Sequence, residues 1–115
     1  MSNPWLYRAL CIDGNIHLGY PLEGQPDILC VTDWEQNIKG NYLQIAEDHR
    51  PQRFAGIHDM DGRRVFEGDE VLIGKLKATI CFDKKNLDFF LNYGTMEEVL
   101  DASHDGRVRI LHQLI

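Results

Sequence analysis

Apolar residues in this chain fall in short runs, and turn-forming clusters interrupt them at close intervals. Residues 6–12 (LYRALCI) mix apolar and polar positions as a strand does. Asp13-Gly14-Asn15 is a turn signal, because Gly and Asn tolerate positive φ. Residues 16–20 then return as the second arm of a hairpin. Pro21, Gly24 and Pro26 mark residues 21–26 as a loop. Residues 27–32 (DILCVT) are short, apolar and rich in strand formers. Beyond Asp33 the pattern blurs. Trp34 and Ile38 are four apart, so one helical turn capped by Thr32 or Asp33 would bury both before Gly40-Asn41 ends it. Residues 42–45 form another short strand. Residues 46–53 are polar, contain Pro51 and read as a linker.

The second half is more regular. Met60-Asp61-Gly62-Arg63 has Asp-Gly at its centre, as a tight hairpin requires. Gly68-Asp69 marks another reversal. Strands are expected over residues 70–73 and 76–82, on either side of Gly74. In the second, Leu76, Ala78, Ile80 and Phe82 alternate with Lys77, Thr79 and Cys81, the period of a half-buried strand. Residues 83–86 are a polar turn, and residues 87–93 are the most hydrophobic strand. Residues 96–102 (MEEVLDA) suit one or two helical turns, with Thr95 as N-cap and Glu98 completing a capping box. Asp105-Gly106 is a turn, and residues 107–114 close the chain as a strand.

Several short strands joined by tight turns predict a mainly β fold with minor α. A small SH3-like barrel or roll is expected in the C-terminal half, since closure removes exposed strand edges. The expected division is a β-rich, acidic N-terminal unit over residues 1–52 and a barrel domain over residues 53–115. A chain of 115 residues, 43% of them hydrophobic, supports one modest core, and oligomerisation would add buried surface.

Charge changes this picture in one respect. The formal charge is −6, which opposes a broad phosphate-tracking surface. The acid is concentrated early. Residues 1–52 carry three basic and seven acidic side chains, whereas residues 53–93 carry seven of each. The neutral middle could gather a basic patch from Arg63, Arg64, Lys75, Lys77, Lys84 and Lys85, although solvated edges and turns explain these residues more simply. Trp5, Tyr7, Tyr20, Trp34 and Tyr42 lie among the early acid. Aromatics interleaved with acid suit a protein interface, though core packing accounts for most such side chains.

Little else points to chemistry. Cys11, Cys30 and Cys81 have no CxxC spacing, and each sits in an apolar run. They read as small buried hydrophobes in a reducing cytosol. No apolar run approaches a membrane span, and the first four residues do not resemble a signal peptide. His58, Asp59 and Asp61 resemble a metal cluster at first sight. Starting a calcium loop at Asp59, however, puts Arg63 at position five and Gly62 at four, so the template fails. No phosphate loop and no evident nucleophile–base pair occurs. The expectation is therefore a protein that is not an enzyme and has no cofactor, metal site or catalytic residue.

Gly68 and Asp69 have a structural reading. Gly68 supplies an unusual backbone angle, Asp69 bonds nearby amides to hold the turn, and Gly62 serves the preceding hairpin. The run containing them also resembles a phage family. It reads Gly56, Ile57, His58-Asp59, Met60, Asp61-Gly62, Arg63, Arg64, Val65, Phe66, Glu67-Gly68-Asp69, Glu70, Val71. This is similar to the signature segment of the YopX family. ICFDKKNLDFFL resembles that family's hairpin and VRILHQLI its last strand. The final strand has His112-Gln113 where a Gly-Asn pair is common. The early YRALCIDGNIHLGYP matches more loosely. The resemblance implies a phage or prophage origin, a cytoplasmic location in a bacterial host, an SH3-like barrel and oligomerisation. It brings no catalytic residue.

The expected function is a non-enzymatic binding module acting through protein–protein contacts, with a protein partner, a homo-oligomer or both, and no membrane. One alternative is a nucleic-acid-binding small barrel using the basic residues named above, which the net charge disfavours. Another is an acidic inhibitor of a host defence or nucleic-acid-binding protein, with Glu23, Asp27, Asp33, Glu35, Glu47 and Asp48 standing in for phosphates.

Overall fold

A computed structural model of the protein describes residues 6–32 and 42–113. It is mainly β, with two antiparallel sheets, and it divides into two compact units between Arg53 and Phe54.

The first unit contains β1 (Tyr7–Leu10), β2 (Ile16–Leu22), β3 (Gln25–Val31) and β4 (Tyr42–Gln44), hydrogen-bonded in the order β4-β3-β2-β1. The β1–β2 turn forms where Gly14 takes φ +82° and the Asp13 carboxylate accepts the Asn15 N–H at 3.0 Å. Strand alternation sends Ala9, Cys11, Leu29 and Val31 to one face, where they pack with Ile45 as the core. Fully burying a side chain such as Leu29 stabilises by about 1.5–3 kcal/mol. The sheet curls around this core. Cys11 bridges Ile45, the Ile12 N–H donates to the Gln44 carbonyl at 2.9 Å, and the Ala46 N–H donates to the Leu10 carbonyl at 2.8 Å. The end of β4 is thereby tied back to the end of β1.

Gly19 permits a close approach of β2 to β3. It lies mid-strand in β2, opposite both Tyr7 and Val31. A Cβ there would come within 2.2 Å of the Cys30 carbonyl oxygen.

Two local expectations in this unit need correction. The loop expected over residues 21–26 shrinks to Glu23-Gly24, and both prolines lie in strands. Pro21 sits beside a register shift, where the ladder is already irregular and a missing N–H costs less. The linker expected over residues 46–53 ends at Pro51. Gln52 and Arg53 open β5 (Gln52–His58) and pair with Arg8 and Tyr7. The buried Arg8 Nε donates to the buried Gln52 Oε1 at 2.6 Å, so polarity here marks a paired interior contact and not a solvated connection. The helical turn at Trp34 and Ile38 falls outside the described residues.

In the second unit, the rest of β5 pairs with β6 (Arg64–Phe66). The remaining strands are β7 (Glu70–Ile73), β8 (Leu76–Asp83), β9 (Asp88–Asn92), β10 (Glu97–Val99) and β11 (Arg109–His112). They form a sheet in the order β10-β9-β8-β7-β11. Val71, Ala78, Ile80, Leu91 and Ile110 are buried on one face of it. The sheet is open, with β10 and β11 as its edges, where a barrel was expected. Two hydrogen bonds of 2.8 Å, from the Met60 N–H to the Val108 carbonyl and from the Gly106 N–H to the His58 carbonyl, link the end of β5 to the approach to β11.

The helix expected over residues 96–102 is absent. β10 occupies that stretch and pairs Glu97, Glu98 and Val99 with Asn92, Leu91 and Phe90. The unpaired edge of β9 overrode a weak helical preference. The capping box forms later, between Asp101 and His104 on the single 3-10 turn Ala102–His104. Leu87, expected as strand, lies in the β8–β9 turn at φ +53° and is 64% exposed.

Candidate binding surfaces

The conspicuous residues of the signature run are occupied by turn architecture. The buried Asp59 carboxylate accepts the N–H groups of Asp61 at 2.9 Å and Arg63 at 2.8 Å. It also meets Arg63 Nε at 3.0 Å and Nη2 at 2.9 Å. Burial alone would raise its pKa. The backbone donors of Arg63 and Asp61, with the Arg63 guanidinium, reverse this and hold it below the ordinary carboxylate value. His58 Nδ1 lies 3.5 Å from an Asp105 carboxylate oxygen, and Asp61 is exposed. Among the described residues, no group of three or more His, Cys, Asp or Glu side chains converges as a metal site would.

Gly62 takes φ +80° and Gly68 φ +88°. The Gly68 N–H donates to the Ile80 carbonyl at 2.7 Å, and the Ile80 N–H returns to the Asp69 carbonyl at 2.9 Å. The fully buried Asp69 side chain accepts the Phe66 N–H at 2.9 Å. Gly68→Val is expected to destabilise by about 1–3 kcal/mol through backbone strain. Asp69→Ala is expected to cost about 1 kcal/mol or more, because a buried amide loses its acceptor. Urea titration checks both, and an unchanged midpoint would remove the turn role.

The six basic candidates do not converge. Arg63 is held by Asp59 and reaches the Ile110 carbonyl at 3.5 Å. The Arg64 guanidinium lies 6.0 Å from the centre of the Phe54 ring. Lys75 is in the β7–β8 turn and Lys77 stands on β8, whereas Lys84 and Lys85 are in the turn at the far end of β8. At about 3.3 Å per strand residue, the eight residues of β8 alone put roughly 25 Å between its two ends.

The aromatic residues behave differently. Tyr7 is buried, and the Arg53 guanidinium lies 5.4 Å from its ring centre. Tyr20 pairs with Cys30, and Cys30 with Tyr42. The three side chains therefore form one row across β2, β3 and β4, on the face away from the core. Tyr20 is 39% and Tyr42 52% exposed, and exposed Ile16 stands on the same face of β2. The Arg8 side chain on this face is buried against Gln52, so the exposed part of the row is uncharged. Glu23, Asp27, Glu47 and Asp48 lie outside the row, and Asp33 and Glu35 fall outside the described residues. A single strand's sequence reveals its aromatics but not their cross-strand neighbours, so sequence could flag these tyrosines without aligning them.

The same unit also carries an open cleft of about 650 Å³ between Tyr7, Pro26 and the loop after β4. Its walls hold both Asp27 and Glu47 and both Arg50 and Arg53, so no single sign of ligand charge is selected.

On the second unit, Cys81, Phe90 and Val99 form a row across β8, β9 and β10. Burial raises the Cys81 thiol pKa, and the negative charges of Glu97 and Glu67 add to the rise. A comparison with protein families, curated proteins and solved structures finds no match to this chain. Among the described residues, no helix is long and apolar enough to cross a membrane.

Proposed function

We propose that this protein is a non-enzymatic contact module, encoded by a phage or prophage and acting in the cytoplasm of a bacterial host. Its partner is another protein, a second copy of the chain, or both. The observation that carries this reading is the uncharged row Tyr20–Cys30–Tyr42, whose tyrosines stand in solvent on the face opposite the core. Tyrosine combines large apolar area with a polar tip and loses little rotamer freedom when it is covered, which suits an interface anchor. The phage origin rests on the YopX-like run from Gly56 to Val71. An SH3-like roll is part of the same reading. It is supported by the short antiparallel strands of the second unit and by the hydrogen bonds that Met60 donates to, and His58 accepts from, the approach to β11. Such a roll would have open edges. The dispersal of the basic residues and the net charge of −6 weigh against nucleic acid as the partner.

The test is a Tyr20→Ser, Tyr42→Ser double variant. Wild type is expected to retain a specific protein from bacterial lysate or to run as an oligomer in light scattering. The variant should lose that behaviour at least tenfold, with a melting temperature close to wild type. A wild-type chain that stays monomeric at high concentration and retains no protein would overturn the proposal.

A further inference from the structure

β10 is an edge strand whose hydrogen bonding with β9 fixes which of its groups point outward. The Tyr93 N–H donates to the Met96 carbonyl and the Leu100 N–H to the Phe89 carbonyl, both at distances near 3 Å (2.9 and 3.1 Å). With Glu98 opposite Leu91, positions 96, 98 and 100 face β9. Glu97 and Val99 therefore direct their N–H and C=O groups away from the sheet. Among the described residues, no strand pairs with that side. Four backbone groups in a row are left as a template for one more strand.

The side chains beside this edge specify what that strand would carry. Val99, 61% exposed, continues the apolar row of Cys81 and Phe90 to the rim. Glu97 continues the row of Thr79 and Asn92. An open cavity of about 500 Å³ runs beside them, lined by Phe90, Val99 and the charged residues Asp83, Lys84, Glu97 and Glu98. Glu98 is already engaged, accepting the Tyr93 hydroxyl at 3.0 Å and lying 3.3 Å from His104 Nε2. Glu97 has no such partner within the sheet.

We infer that the outer edge of β10 accepts an extended peptide segment of a partner, with an apolar residue and a Lys or Arg two positions apart. Strand addition supplies the main-chain hydrogen bonds, and alternate side chains supply the selectivity. In an added strand, the residue opposite Val99 extends the apolar row of Cys81 and Phe90, and the residue opposite Glu97 meets a carboxylate. Spacing by two keeps both on one face. A second copy of β10 is a poor occupant. Antiparallel self-pairing centred on Glu98 would set Glu98 against Glu98 and add a second Glu97, and like charges directly opposite each other destabilise a sheet. The inference shares the contact-module reading but uses a surface on the other unit.

The experiment is fluorescence anisotropy with a labelled heptapeptide, Thr-Val-Thr-Lys-Thr-Val-Thr amide, titrated with the full chain at low salt. A control peptide of the same composition places Lys next to Val. The first peptide is expected to bind at least tenfold more tightly than the control. Glu97→Lys should weaken it at least tenfold and create a preference for the Glu-containing counterpart. Val99→Pro, which removes one outward N–H without breaking a bond to β9, should also reduce binding at least tenfold. Tyr20→Ser with Tyr42→Ser should leave peptide binding unchanged, which separates this edge from the tyrosine row. Equal binding of the two peptides, or unchanged binding by folded Glu97→Lys protein, would overturn the inference.

Discussion

Gly19→Ala is expected to destabilise the first unit by about 3 kcal/mol, at the upper end of the usual cost of overpacking. The added methyl would need to occupy space 2.2 Å from the Cys30 carbonyl oxygen and 2.9 Å from its carbonyl carbon. Both are main-chain atoms of the neighbouring strand and cannot swing aside as a side chain would. Relief requires β2 and β3 to separate. That would disturb the pairing of Gly19 with Val31 and the burial of Val31 and Leu29 behind it. Urea denaturation of wild type and variant gives the measurement. A midpoint unchanged within error would mean that the two strands do not approach this closely. Gly14→Ala is an informative contrast. Nothing lies within 4 Å of the Cβ position there, so its cost comes from the positive φ alone.

Asp59→Ala is expected to cost about 2–4 kcal/mol. It strips the acceptor from two backbone N–H groups and leaves Arg63 only its more distant ion pair with the exposed Asp61. The pH dependence carries a definite sign. The folded-state pKa of Asp59 lies below the ordinary value, so its carboxylate contributes stability that is fully present above the unfolded value of about 3.9. That contribution is lost as pH falls through the folded value. Asp59→Asn removes this titration while keeping one oxygen acceptor. The gap in urea midpoint between wild type and Asp59→Asn should be widest near pH 6 and should narrow below pH 4. A gap that stays constant to pH 2 would show that the Asp59 charge does not stabilise the turn.

Local chemistry made much of the chain legible. Alternation along residues 76–82 and the Asp-Gly and Gly-Asp reversals were sufficient to place most strands of the second unit, because each signal lies within a few residues of sequence. Sequence misleads where a neighbour decides the outcome. Residues 96–99 have a helical composition, yet they became strand because β9 offered an unpaired edge. Gln52 reads as linker because it is polar, yet its side chain has a partner 44 positions away, on Arg8. Gly19 gives no sign of its role in sequence, since a close approach between strands is a property of their pairing. The tyrosine row was legible only as a set of aromatics. Its alignment depends on the registers of β2 with β3 and of β3 with β4, and no single strand encodes either.

The two faces of the first sheet separate its thiols. Cys11 points into the core with Ala9, whereas Cys30 stands between Tyr20 and Tyr42 on the opposite face. A strand would have to turn over before their sulfurs could meet, so oxidation cannot staple this unit to itself. Its stability therefore rests on packing and hydrogen bonding and draws nothing from an internal disulfide. An oxidant that does reach Cys30 is left with a partner from outside the unit, which makes that thiol a native cross-linking reporter for whatever covers the tyrosines.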